Sequence, residues 1–545
     1  MNSKILLVKN IHIDREYTNV LSYSENQMLE LCRSQNHLIA EANNYSFLRP
    51  TGSIMAGFTY SQCLQANYIA FQNPDYSNKW FFAWIDDVIY KGDKNTEITF
   101  TIDAWSTWFD KWQKKTCFIN RQHTNDDTIG LHTIPENLDV GEVVQESITE
   151  DLAYGNEYGY WIAVASNWQI KDGSNGTEVL ESNKGTQYSG ITVYDNTVFG
   201  TQLFFFHITA LSSFTDLVLL LLRTNADGHI EDVQNIFILP DVAINQNSLT
   251  QHTASVGGYN FSFYTISYDL TPEKFNTEIN KITNFSDYVP KNNKCFVYPY
   301  NYLFVSNNQG SNNIYKYEDF NTEKCIFENQ FSITIGGSGR IVPKNYKGMT
   351  TNDDEALALG KYPTCAWSSD AFTNWLTQNS VNMAVSLGLT AGAIAGTIAT
   401  GGATAPALAG AVMSVAGNIG NTIGQFYQAS LLPNINGGQA NGDVIWACNR
   451  NMFTFRQMRV KTEYLKIIDD YFTRFGYAVK SLATPNITGR TYWNYIEIGA
   501  SEEIGYGEVP SKFMDTINNA CRRGVTIWHN HANVGNYSLN NTIEQ

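Results

Sequence analysis

The residues best equipped for chemistry in this chain are its adjacent carboxylates, Asp86-Asp87, Asp126-Asp127, Asp353-Asp354 and Glu502-Glu503, because a glycosidase needs only two carboxyl groups. Adjacency in sequence does not fix the distance between two carboxyls in space, and acidic doublets are equally at home in solvated turns. His529-Asn-His531 offers two imidazoles to a metal, yet no nearby Cys or acidic residue completes a ligand set, and the pair reads as surface histidines. Gly336-Gly-Ser-Gly339 approaches a nucleophile elbow, but Arg340 stands where the second glycine of that motif belongs, which leaves a turn. No Walker loop, HExxH or dinucleotide fingerprint occurs. The eight cysteines (32, 63, 117, 295, 325, 365, 448 and 521) show no CxxC spacing and read as free thiols kept in a reducing cytosol. The expectation is therefore a non-enzyme with no catalytic residues, no metal and no cofactor.

The elements around these residues read as mainly β. At 545 residues the chain exceeds the usual limit for one core, so two to four domains are expected. Aromatics make up 13% of it, with Tyr and Phe dominant. In Glu97–Asp103, Ile98, Phe100 and Ile102 alternate with Thr and Asp, the pattern of a half-buried strand. Lys79–Ile85 is apolar on both faces, and Lys91-Gly-Asp-Lys-Asn95 supplies the turn of a hairpin between the two. From about 140 to 370, turn clusters separate further strands, such as Cys295–Tyr300 and Phe331–Ile335, with one helix from Phe214 to Arg223 that Ser213 and Asp216 can cap. A second helix, Lys461–Phe475, ends at Gly476, and strands resume at Tyr492–Ile498 and Val525–Trp528. The net charge of −16, with no long basic cluster, argues against DNA binding by counterion release. Lys4 followed by Ile-Leu-Leu-Val is too short for a signal-peptide core, so export by the secretory route is not expected.

One stretch departs from this composition. From Ala371 to Gly442 there is no Asp, Glu, Lys or Arg, in a chain whose charged fraction is 16%. Large apolar residues fall at Val381, Met383, Leu387, Leu389, Ile394 and Ile398 in a first arm, and at Leu408, Val412, Met413, Val415, Ile419 and Ile423 in a second. Steps of three, four and seven make helices. Gly388, Gly392 and Gly396 form a double GxxxG ridge on which another helix can pack closely. Thr400-Gly401-Gly402 and Pro406 turn the chain between two arms of about 30 Å each. The composition suits a membrane; a buried helical hairpin in an ordinary core and a Gly/Ala-rich linker are the alternatives.

Several segments resemble one family. They are Phe71-Gln72-Asn73 with Asp75-Tyr76, Asn78-Lys79-Trp80-Phe81, Asp103 and Thr107-Trp108, then Tyr298-Pro299-Tyr300, Glu463-Tyr464, Phe472 and Gly476-Tyr477, and finally Gly524, Trp528-His529 and Gly535-Asn536-Tyr537-Ser538. In this order they resemble the tail knob, or distal tail tube, proteins of the small short-tailed podophages of Gram-positive bacteria, the picovirus group. The resemblance implies a β-barrel or sandwich tube domain built from the two ends of the chain, residues 1–140 and 443–545, with a β-rich knob domain inserted at 141–370 and the uncharged loop or helical hairpin at 371–442. It implies a homo-hexameric tube in the virion tail tip, assembled in the host cytoplasm below an upstream tail or collar protein, through which phage double-stranded DNA passes without specific binding. It further implies that the hydrophobic loops of six subunits plug the tube and enter the host cytoplasmic membrane during ejection. Other functions open to such a chain are receptor or glycan binding through exposed Trp and Tyr, cell-wall hydrolysis, and pore formation by a cellular toxin.

Overall fold

The computed structural model describes residues 3–48, 52–74, 78–152 and 451–544, segments of 159–347, and residues 364–366 and 444–445. It is mainly β and falls into two units: Met1–Val143, Asn284–Tyr300 and Val460–Gln545 make the first, Val144–Thr283 and Asn301–Arg459 the second.

The first unit begins with strands β1 (Ile5–Val8), β2 (Asn19–Leu21), β3 (Leu38–Ala42), β4 (Tyr45–Leu48), β5 (Ser53–Ala56), β6 (Tyr68–Asn73), β7 (Lys79–Gly92) and β8 (Asn95–Ile102). All except β2 form one seven-stranded sheet in the order β3-β1-β6-β7-β8-β5-β4. Only Asn43 and Asn44 join β3 to β4, yet these two strands lie at opposite edges, so the sheet must curl until its edges meet at one end. Tyr45 of β4 reaches across the curl and donates its hydroxyl to the Gln72 carbonyl of β6 at 3.0 Å. Phe71 fills the space between, 5.9 Å from Tyr45 and 5.2 Å from Phe100. β1, an unbroken Ile-Leu-Leu-Val run, is buried on both faces, as an apolar run of that kind requires.

β7 outruns β6. Their pairing stops at Trp84, whereas β8 follows β7 to Gly92, with a bulge between Ile85 and Asp87 where β7 parts from β6. The two-residue turn Asp93-Lys94 closes the hairpin, with Lys94 at φ +53°. The expected strands at 79–85 and 97–103 are therefore present, the first of them longer than its apolar part.

A second sheet of the same unit joins the two ends of the chain. β2 runs parallel to Val525–Trp528, followed by Trp493–Ile498, Cys117–Gln122 and Tyr477–Ala483. Trp105, Trp493 and Trp528 are fully buried in the core. Helix Thr462–Phe475 buries Leu465, Ile468 and Phe472, which share one face at helical spacing. It stops where Gly476 turns to φ +63°, as the sequence predicts.

Among the described residues the second unit holds three larger sheets and a two-stranded one, Thr192–Tyr194 with Thr197–Phe199. Tyr160–Ser166 lies between Val233–Pro240 and Gln202–Ile208, antiparallel to both, and Tyr259–Ile266 and Leu249–Val256 extend that sheet. Helix Phe214–Ala226 packs on it, three residues longer than expected. The Ser213 hydroxyl accepts the backbone N–H of Ala210 at 3.2 Å, and Asp216 accepts a backbone bond from Ser262. The second sheet runs Val143–Leu152, Asn451–Val460, Asn301–Ser306 and Asn312–Tyr315. The third runs Lys274–Asn280, Lys324–Phe331, Ser338–Lys344, Thr364–Ala366 and Val444–Ile445. Phe327 packs 5.0 Å from Tyr315 and 5.2 Å from Phe455.

One strand expectation is corrected. Cys295–Tyr300 is a 3-10 turn over Asn293–Phe296 followed by a cis Tyr298-Pro299 bond, and the strand starts at Asn301. Its apolar residues are buried as a strand's would be, but local turn bonds (Cys295 N–H to the Asn292 carbonyl, Val297 to Lys294, Tyr300 to Val297), not a ladder, hold its backbone.

Candidate functional site

The membrane-active candidates, Val381 to Ile423 with Gly388, Gly392 and Gly396, lie outside the described residues. The structure does describe the base from which that stretch departs. Thr364–Ala366 and Val444–Ile445 are neighbouring parallel strands, with Cys365 opposite Val444 and Ala366 opposite Ile445. The chain therefore leaves at Ala366 and returns at Val444 side by side, at the roughly 5 Å spacing of paired strands. Parallel pairing demands a crossover connection, and the two strand ends that flank the uncharged segment are fixed to one sheet. Among the described residues no helix is long and apolar enough to cross a membrane.

The first unit is tied together by buried charge. Glu136, with a fully buried side chain, receives Arg121, Lys294 and, at 2.9 Å, the Ala478 backbone N–H. Burial and the neighbouring Arg121 charge push the Lys294 ammonium down to about 7, a shift that the Glu136 carboxylate opposes. Asp469, also buried, accepts the Tyr288 hydroxyl at 2.7 Å and the Lys291 N–H at 2.8 Å. Asp127 accepts the Asn293 N–H at 3.0 Å and the Tyr477 hydroxyl. Three carboxylates from different parts of the unit thus grip residues 288–294. The sequence reading missed this grip; its only trace is a run of Asn and Lys at 291–294, which resembles a solvated turn.

The residues that carry the family resemblance also hold this unit. Asp103 caps helix Ala104–Trp108 through the Ser106 N–H at 3.0 Å and accepts the Tyr68 hydroxyl at 2.8 Å. Burial raises the Asp103 carboxyl above the usual range. Thr107 accepts the Phe82 N–H at 3.1 Å, and Lys79 lies 4.7 Å above the Trp108 ring. Phe472 meets Tyr300 and Tyr477 edge-on, and the Trp528 indole donates to Asn19 at 2.8 Å.

Among the described residues the two members of each acidic doublet are engaged by different partners. Asp86 is bound to Arg15 at 2.7 Å and Thr101 at 2.8 Å, while Asp87 accepts the Val88 N–H at 2.8 Å. Asp126 accepts the Thr128 N–H, whereas half-buried Asp127 accepts the Tyr477 hydroxyl, so the two side chains serve different partners. Glu502 accepts the Phe118 N–H at 3.2 Å and Glu503 pairs with Lys115 at 2.6 Å. Asp353-Asp354 lies outside the described residues. Ser338, Gly339 and Arg340 begin a paired strand, while Gly336 and Gly337, the first half of the expected turn, lie outside the described residues. Among the described residues no group of three His, Cys, Asp or Glu could hold a metal ion, and Cys32, Cys63, Cys117, Cys295, Cys325 and Cys521 are buried free thiols. Trp161 in the second unit is 1% exposed and stacks 4.2 Å from His207. The surface reading of His531 is corrected: the ring is 6% exposed, drawn inward between His12 and His37.

A curled amino-terminal sheet beside a second sheet that joins both ends of the chain, with a β-rich unit inserted, belongs to a phage tail structural protein: residues 1–113 match the Caudoviral major tail protein N-terminus. Residues 262–542, just over half the chain, match the C-terminal domain of the Bacillus phage phi29 tail knob protein gp9, and the chain belongs to that family. The phi29 tail knob protein gp9 is 21% identical over 88% of both chains, and that of Bacillus phage B103 is 19% identical over 93% of this chain and 92% of the relative. The tail knob protein gp12 of bacteriophage C1 shares the fold at a TM-score of 0.63 and 13% identity, over 99% of this chain and 100% of that one. The protein is thus a structural component of a phage tail.

Proposed function

We propose that the chain forms a homo-hexameric tube and knob at the tail tip that conducts phage DNA during ejection, and that its uncharged loops plug the tube and then enter the host cytoplasmic membrane. The observation that carries this reading is the pair of parallel strands flanking the uncharged segment, where Cys365 lies opposite Val444 and fixes both ends of that segment to one sheet. Such a tether lets a loop exchange protein neighbours for lipid while its anchor stays folded. The net charge of −16 supports conduction without adhesion, since acidic walls repel a polyanion.

Ring assembly is supported by the curled sheet, whose edge strand β4 and the outrunning half of β7 can meet head to tail in successive copies. An upstream tail or collar protein caps the other end in this scheme, and assembly takes place in the host cytoplasm. Dye release from liposomes tests the membrane role. Purified oligomer should empty the vesicles, and deletion of 381–424 should abolish release while electron micrographs still show rings. Equal leakage from the deletion variant would reject it.

A further inference from the structure

Three histidines from distant parts of the sequence meet in the first unit, away from the uncharged segment. His531 opens a 3-10 turn near the carboxy-terminal end, His12 follows β1, and His37 follows helix Glu25–Arg33. The His12 and His531 rings stack at 5.3 Å, and His37 meets His531 edge-on at 4.9 Å. His531 Nε2 accepts the His12 backbone N–H at 3.2 Å, so a proton on that nitrogen would face a donor. His37 and Lys9 exchange two bonds, Nδ1 to the Lys9 carbonyl at 3.0 Å and the Lys9 N–H to the His37 carbonyl at 2.9 Å.

We propose that His12, His37 and His531 form an acid-labile clasp that holds residues 529–544 onto the amino-terminal loop 9–13. The titratable groups facing His531 are the imidazoles of His12 and His37 and the Tyr23 hydroxyl, which accepts the His531 N–H at 3.1 Å. On its own element, His529 is engaged with the Ile487 carbonyl at 3.2 Å. Among the described residues, the charges acting on His531 are those of His37 and His12, both of its own sign when protonated.

Burial, with those neighbours, holds His531 down to about 4 from its ordinary 6.5. The closed clasp therefore keeps a neutral ring, and the open form takes up the extra proton below 6.5. Acid drives opening by roughly tenfold per pH unit until about pH 4, where the closed form also protonates.

Deuterium uptake of the full-length protein, corrected for the intrinsic exchange rate at each pH, tests the clasp in peptides covering 9–13 and 529–544. In the wild type the opening constant should rise about 20-fold from pH 6 to 4.5. His531→Gln retains an acceptor for the His12 N–H but cannot titrate, so its uptake should be flat with pH. Should that variant be open at every pH, the His12→Gln/His37→Gln pair decides, because it keeps His531 and removes the like charges; its rise should be smaller. A flat wild-type profile, or a double variant that rises as the wild type does, overturns the proposal.

Discussion

Asp469 accepts the Asn292 backbone N–H at 3.0 Å and the Asn292 side-chain amide at 2.8 Å, joining positions 177 residues apart inside one buried site. This pair decides where residues 288–294 lie, because the same carboxylate also satisfies Lys291 and Tyr288. Asp469→Ala leaves those donors without their acceptor and should cost about 3 kcal/mol or more. The urea midpoint of the first unit, read by tryptophan fluorescence, measures it, and Asp469→Asn should lie between the two.

Gly476 combines φ +63° with a neighbour, since an added Cβ would lie 2.3 Å from the Gln122 carbonyl oxygen. Gly476→Ala should therefore destabilise by at least about 2 kcal/mol. Gly535, at φ +81° with nothing within 4 Å, is the control, and its alanine variant should cost about 1 kcal/mol. Thermal melting of both variants separates the conformational cost from the steric one.

His123 is fully buried, with Nδ1 accepting the Tyr495 N–H at 2.8 Å and Nε2 donating to the Thr473 carbonyl at 3.0 Å. Burial, with Arg490 nearby, pulls it down to about 3 from 6.5, so the folded state keeps it neutral and the unfolded state protonates it first. Its stabilising contribution is complete above pH 6.5 and falls by about 1.4 kcal/mol per unit as pH drops toward 3. Comparison of unfolding free energies at pH 7, 6 and 5 should show His123→Gln losing that slope relative to the wild type.

Phe47 sits 43% exposed on the edge strand β4. If copies meet along this edge, Phe47→Asp should shift native mass spectra from hexamer toward monomer by a more than tenfold loss of affinity. The melting temperature of the subunit should barely move, since surface changes fall within about 0.5 kcal/mol.

Sequence patterns revealed what is set locally. The alternation at Ile98, Phe100 and Ile102, the helical stripe of Leu465, Ile468 and Phe472, and the stop at Gly476 all depend on near neighbours, and the elements follow them. The missing charge at 371–442 was equally visible, because composition needs no fold. What escaped depends on distant partners. Cys295–Tyr300 has a strand's residues, but the turn that opens it is held at Asn293, Lys294 and Cys295 by carboxylates from positions 127, 136 and 469. His531 looked like a surface residue because neither His12 nor His37 is near it in sequence. The pairing of Cys365 with Val444 could not be read from strands of two or three residues.

The parallel ladder between β2 and Val525–Trp528 has a consequence for the timing of synthesis. The Asn19–Trp528 bond spans 509 residues, which a ribosome takes on the order of 25–100 s to translate. Until then the early strands wait without the tryptophan that covers them, so a prematurely terminated polypeptide cannot complete this core. Truncated products would thereby be kept out of the finished particle by the weave of the chain itself.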